Sequence, residues 1–260
     1  MARMTSLADV GLLLDVRDGV ATLTLDRPER RNAQTPAMWT ALAKLGRDLP
    51  GDVRVVVVRG NGPSFSAGLD LQMFTPEGIP GAPSFLDIAR ASDEEADATI
   101  EAFQEAFTWL LRPDLLTVAA VRGHAVGAGF QLALACDFRV CTEDAQFTMA
   151  EVTRGIVPDL GGTGLLAELV GYSRALEICV TGRRVSAAEA VSIGLANLVV
   201  DDLDGAVSDL VAALFAAPRD AAVETKALLR GARTRPLSEQ RAMERAAQLR
   251  RLRDLAGLGE

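Results

Sequence analysis

The sequence predicts an α/β fold, and three observations carry that expectation. Two continuous apolar runs of strand length, Val53–Arg59 (VRVVVVR) and Leu115–Val121, have the composition of strands covered on both faces. Between and after them lie segments with apolar residues at helical spacing, so strands and helices alternate to about residue 200. Residues 203–255 then read as wholly helical, ending in the basic amphipathic QLRRLRDL. The chain thus divides into a core over 1–200 and a helical region over 201–260. The latter has too few large apolar residues for a core of its own and is expected to pack on the main body or on another subunit.

Taken in order, residues 10–26 (VGLLLDVRDGVATLTLD) read as two strands around a turn at Asp18-Gly19. Arg27 to Asn32 interrupts them. A helix is expected from about Thr35, with Pro36 near its first position and Met38, Leu42 and Leu45 at helical spacing. The strand Val53–Arg59 runs into Gly60-Asn61-Gly62-Pro63 and then Ser64–Leu71. Residues 76–95, rich in Pro, Gly and acid, read as a mobile loop or the start of a lid. A helix over roughly 93–111 leads to the second buried-type strand. Gly123–Gly129 follows, then a helical run at Phe130–Ala135 and a short strand at Asp137–Cys141. Phe147-Thr148-Met149 carries a further strand signal.

Bulk properties narrow the function classes. At 260 residues with 49% apolar content, one large domain with a sizeable core is expected. A net charge of −8 argues against a general nucleic-acid surface. Cys136, Cys141 and Cys179 are odd in number and lack CxxC spacing, which disfavours a disulfide framework or a zinc site. The N-terminus shows no signal segment, and no apolar run reaches the roughly 18 residues of a spanning helix. A cytoplasmic protein without membrane contact is the expectation. His124 is the single histidine, so chemistry needing several is excluded.

Two glycine-containing turns follow the buried-type strands, Ser66-Ala67-Gly68-Leu69-Asp70 and Gly127-Ala128-Gly129-Phe130. Side by side they could aim two backbone N–H groups at one carbonyl oxygen, as an oxyanion hole requires; tight strand–helix packing would explain the same glycines. GxxxxGK[ST] and GxSxG are absent, and position 132 is leucine where a dinucleotide fingerprint has its third glycine. Ser66 with His124 could form part of a hydrolase triad, although His124 fits a structural hydrogen-bonding role better. The stretch FTMAEVTRGIVPDLGGTG, from residue 147, sets Glu151 and Asp159 among Phe147, Met149, Val152, Ile156, Val157 and Leu160. Asp159 could cap a helix beginning near Gly161, and Glu151 could be a solvated edge residue. Held among those apolar neighbours, each would lose solvation and rise in pKa, as suits proton transfer.

Together these pieces resemble the crotonase superfamily, the enoyl-CoA hydratase/isomerase proteins. The matching residues are Leu25-Asp26-Arg27-Pro28 with Asn32-Ala33, Phe65 to Leu71, Gly123 to Gly129, Ala135 to Arg139, Gly155 to Thr163, Thr181-Gly182-Arg183, and Ala187 to Ala190 with Gly194-Leu195. The resemblance covers about residues 10–200. It implies a spiral of repeated ββα units with a helical C-terminal region that builds trimers or dimers of trimers. It also implies an acyl-CoA thioester as ligand, coenzyme A being part of the substrate and no separate cofactor or metal being needed. The family's oxyanion donors fall on the N–H groups of Leu69 and Ala128. Ala67, Gly68, Asp70, Gln131 and Arg27 are the residues expected to touch substrate, Arg27 with Arg30 and Arg31 as a basic cluster for phosphates.

Two departures shape the functional expectation. The hydratases resembled here use two glutamates; the first falls on Gln131, which cannot ionise, and the second on Glu151. Asp159 stands where they have glycine. Members with aspartate there include dienoyl-CoA isomerases, a ring-modifying isomerase of phenylacetate breakdown and an aryl-CoA dehalogenase. The resemblance therefore implies a second reactive carboxylate opposite Glu151 without fixing the reaction; the expectation is an isomerase-type double-bond shift in which Glu151 and Asp159 move protons. A hydratase using Glu151 with a Gln131-positioned water, and a non-catalytic acyl-CoA binder, are the alternatives.

Overall fold

The computed structural model describes residues 7–259. β1 (Leu12–Arg17) and β2 (Val20–Leu25) form an antiparallel hairpin. Asp18 and Gly19 between them have φ of 49° and 75°, the two left-handed positions that a tight hairpin turn demands. α1 (Pro36–Asp48) begins on Thr35, whose side chain accepts from the Met38 N–H, with Pro36 placed where no N–H is needed. β3 (Val55–Gly60) follows. The segment expected to be a loop or lid instead contains a short helix, α2 (Phe85–Arg90), fixed by reciprocal hydrogen bonds between Ser84 and Asp87. Its sequence signal is one Ser-x-x-Asp pair among prolines and glycines, too local to outweigh the composition.

α3 (Asp93–Thr108) opens on a second such box, Ser92 with Glu95, and runs on as a 3-10 turn to Leu111. After it come β4 (Leu116–Val121), β5 (His124–Val126), α4 (Ala128–Ala135), β6 (Phe138–Cys141) and β7 (Gln146–Thr148). Next are α5 (Gly162–Val170), α6 (Tyr172–Thr181), β8 (Arg184–Ser186), α7 (Ala187–Ser192) and β9 (Leu198–Val199). α8 (Leu203–Ala216), α9 (Arg219–Gly231) and α10 (Leu237–Leu255) make up the helical C-terminal region.

The main sheet has the order β1-β2-β3-β4-β6-β9, parallel throughout except for the opening hairpin; β5, β7 and β8 form a small second sheet. The period of two along a strand explains why the central runs are apolar throughout. Val56 and Val58 of β3 and Ala119 and Val121 of β4 face the larger core, built with α1, α3 and α4. Val55, Val57, Val118 and Ala120 face the other way, against Leu203 and Val207 of α8. In the larger core, Trp39 of α1 meets Phe103 and Phe107 of α3 at ring-centroid distances of 4.9 and 5.9 Å. The α/β class and the helical C-terminal region are as expected. Among the described residues no helix is long and apolar enough to cross a membrane.

Because β3 and β4 are parallel neighbours, the segments leaving their carboxyl ends emerge side by side. A crevice at that end of a parallel sheet is where α/β folds bind ligands.

Candidate active site

The two glycine turns meet there. Ser66 N–H donates to the His124 carbonyl at 2.9 Å, and Val126 N–H donates to the Ser66 carbonyl at 3.0 Å, which draws the strand β5 alongside the first turn. β5 is absent from the sequence expectation: three residues give too little periodicity to announce a strand. Gly68 has φ of 84°, and a Cβ added to it would lie 2.4 Å from the Val126 carbonyl oxygen and 3.4 Å from Ala128 N. Gly127, with φ 51° and ψ −119°, turns the chain directly into α4. Only glycine enters both positions without strain.

Leu69 and Ala128 both line one cavity of about 310 Å³. Ala128 opens α4, where main-chain N–H groups have no partner within the helix. Neither the Leu69 nor the Ala128 N–H donates to a turn or loop carbonyl among the described residues. Ala67, Gly68 and Asp70 line the same space.

Glu151 also lines it. The chain leaves β7 at Thr148, whose carbonyl accepts from Gly127 N–H at 2.8 Å, and this ties Glu151 to the second turn. Glu151 is 8% exposed. Its Oε1 accepts from Gln131 Nε2 at 2.7 Å, while Oε2 has no hydrogen-bond partner. Burial pushes the carboxyl pKa above its ordinary range; its own backbone N–H first, then Gln131, and more weakly the Ala150 N–H pull it down, while the nearby Asp159 charge pushes it up again.

Asp159 stands differently. It is half-buried and is not among the residues lining the cavity. Its carbonyl accepts from Gln104 Nε2 at 2.6 Å, and burial raises its carboxyl pKa. The helix cap next to it is Gly161, in the left-handed region, so Asp159 does not cap α5.

Gln131 is 1% exposed and does not line the cavity. Its Oε1 accepts from both Leu160 N–H (3.0 Å) and Gly162 N–H (3.2 Å), leaving the amide nitrogen to face Glu151. Arg27 likewise stays outside the cavity lining: it donates to the Ala33 carbonyl at 2.6 Å and pairs with Asp70 at 3.1 Å. Of the basic cluster it is Arg30 that lines the cavity, as does Arg154. Arg154 lies 5.9 Å from the Phe74 ring centroid, and Phe74 and Ile156 are further walls. Arg154 and Phe74 were not singled out from sequence, and Ile156 only as an apolar neighbour of the two acids. Arg154 follows Glu151 by three residues, and a 3-10 turn over Val152–Arg154 brings it back towards the cavity.

Ser66 is buried and committed to structure, its Oγ donating to the Asn32 carbonyl at 2.8 Å and accepting from Gly68 N–H at 3.1 Å. His124 Nδ1 lies 3.5 Å from Ser64 Oγ. No Ser66–His124 couple is formed, which removes the hydrolase reading.

Residues 15–252 match the enoyl-CoA hydratase/isomerase family. Among solved structures, a putative enoyl-CoA hydratase from Thermobifida fusca YX in complex with CoA is 50% identical, with a TM-score of 0.92 over 96% of both chains. Among curated relatives, 4-chlorobenzoyl coenzyme A dehalogenase-2 of an Arthrobacter species is 34% identical over 83% of this chain and 76% of its own. The mitochondrial Delta(3,5)-Delta(2,4)-dienoyl-CoA isomerase of Mus musculus is 33% identical over 82% of this chain and 64% of its own. These matches show that the chain belongs to the enoyl-CoA hydratase/isomerase family and is an enzyme of the crotonase superfamily.

Proposed function

We propose that this protein shifts a double bond in an enoyl thioester of coenzyme A. The observation that carries the reading is Glu151 Oε2, a buried carboxylate oxygen without a hydrogen-bond partner, in a residue that lines the same cavity as Leu69 and Ala128, whose N–H groups are the expected donors. The thioester oxygen lies between the two N–H groups. Glu151 removes a proton from the acyl chain, and the electron pair of the broken C–H bond delocalises into the thioester as an enolate. A proton then returns at a different carbon from Asp159, which stands outside the cavity lining and so has to turn its carboxyl inward to reach the acyl chain; burial raises its pKa, which favours the protonated form. Glu151 and Asp159 reset by exchange with solvent; no redox partner is consumed, and coenzyme A enters and leaves with the acyl group. Negative charge reaches the oxygen only as the proton leaves, so the two donors favour the transition state over the substrate. Arg30 and Arg154, flanking the cavity, supply positive charge for the phosphates of the carrier.

Hydration has weaker support in the geometry. The Gln131 oxygen already accepts two N–H groups, and the side chain does not line the cavity in which a water would attack. The deciding experiment incubates 2-hexenoyl-CoA with enzyme in D2O and identifies the exchanging carbons. Deuterium at two carbons in wild type, reduced about 10²–10⁴-fold by Glu151→Gln and lost at one carbon in Asp159→Asn, is expected. Rapid loss of the conjugated chromophore to a 3-hydroxy product, dependent on Glu151 but not on Asp159, would show a hydratase instead. Thioester binding with no exchange or turnover on a panel of acyl chains would leave only a binding protein.

Self-association belongs to the same proposal. α10 leaves Leu249, Leu252 and Leu255 exposed, apolar surface suited to another copy. Light scattering should give three or six times the chain mass; a monomer at micromolar concentration would refute this.

A further inference from the structure

We propose that Gln131 is a positioning residue that decides which oxygen of Glu151 transfers the proton; this rests on Glu151 being the base. Gln131 sits on α4, one turn beyond Ala128, so the helix that offers an oxyanion donor also carries the group that grips the carboxylate.

The amide orientation is forced by its surroundings. Leu160 and Gly162 present two N–H groups to one end of the side chain, and N–H groups can only donate. The oxygen must therefore face them, and the NH2 must face Glu151. Reversing the amide would set donors against donors at the α5 end and oxygen against carboxylate at the other. At 1% exposure, Gln131 would bear the full cost of that mismatch in a low-dielectric interior.

The consequence falls on Glu151. With Oε1 held at 2.7 Å by Gln131, the carboxylate plane is fixed and Oε2 is left without a partner. The two oxygens thus have separate duties: one keeps the group oriented and ionised, the other accepts the proton. Gly162 confirms how closely the parts fit, since a Cβ added there would lie 2.7 Å from Gln131 Cγ. A residue that only anchored α5 would need the oxygen alone. The donated N–H···Oε1 bond is what separates positioning from anchoring.

Two variants and two readouts test this. Gln131→Met keeps the bulk and removes both sets of hydrogen bonds. Gln131→Asn keeps an amide but shortens it by one methylene, withdrawing the donor from Glu151 without adding charge, so it covers the case in which the Met variant fails to fold. The first readout is isotope-edited infrared titration of the Glu151 carboxylate, assigned by Glu151→Gln. The second is the pH profile of solvent exchange with 2-hexenoyl-CoA. In either variant the Glu151 carboxylate should titrate at higher pH than in wild type. In Gln131→Met, kcat should fall about 10–100-fold, the range of a hydrogen bond to a charged group, with KM changed less than two-fold. Unaltered Glu151 titration in a folded variant, whatever its stability, overturns the inference. A raised titration without exchange in any of the proteins, wild type included, would uphold positioning and refute the proposed reaction.

Discussion

Burial raises the Glu151 pKa by penalising its charged form, and that has a measurable sign. Its folded-state pKa lies above the unfolded one, so between the two values the folded chain binds more protons. Stability therefore falls as pH rises through that window and stays reduced above it. Glu151→Gln should raise the melting temperature at pH 7, and the advantage should disappear as pH drops below the ordinary glutamate value of 4.5, read by calorimetry across pH. The same shift bears on catalysis: a base must be ionised, so the acid limb of kcat/KM should lie above 4.5. Sequence reached Glu151 through its apolar neighbours Phe147, Met149 and Leu160, all buried in the fold. It could not show that Gln131 and Arg27 would spend their polar atoms on protein partners, because those partners are remote in the chain. Asp70 is 43 residues from Arg27, and Gly162 is 31 from Gln131.

At the scale of elements, the site depends on two turns held back to back. A Cβ added at Gly68 would lie 2.4 Å from the Val126 carbonyl oxygen, and the positive φ adds strain to any side chain placed there. Gly68→Ala should push the first turn off the Val126 carbonyl and misplace the Leu69 N–H. Losing one such donor costs about 3 kcal/mol, so kcat/KM should fall about 10²–10³-fold in steady-state assays. Unchanged kinetics would mean that the Leu69 N–H takes no part. Both turns were visible as small-residue runs after apolar strands. Their contact was not, since β5, which docks the second turn on the first, is too short to carry a pattern.

Across the whole molecule, the C-terminal helices are tied to the sheet by a buried polar contact as well as by α8. Lys226 of α9 is 6% exposed, and its Nζ donates to the Leu115 carbonyl and to Asp137 Oδ2, both at 2.7 Å. Asp137 also accepts from the Thr117 N–H and hydroxyl, so three segments converge on one carboxylate. Removing one partner of a buried pair leaves a charge uncompensated, and Lys226→Met should lower unfolding free energy by about 3 kcal/mol in urea titrations. A change below about 0.5 kcal/mol, the range of ordinary surface substitutions, would show that α9 is held by packing alone.

What the sequence by itself determined is the class of the fold and the chemistry on offer. Residue periodicity is a local property, and the runs at 53–59 and 115–121 had to be strands covered on both faces wherever they ended up. The two turns and Glu151 were likewise readable, as small residues beside strands and an acid among apolar neighbours. Only the tertiary structure decided that Leu69 and Ala128 share a cavity with Glu151, that Asp159 lies outside its lining, and that Arg30 with Arg154 flanks it in place of Arg27. The physical reason is range. Backbone conformation and burial follow from neighbours a few residues away, whereas hydrogen-bond partners are chosen by chain segments that meet only after the sheet has formed.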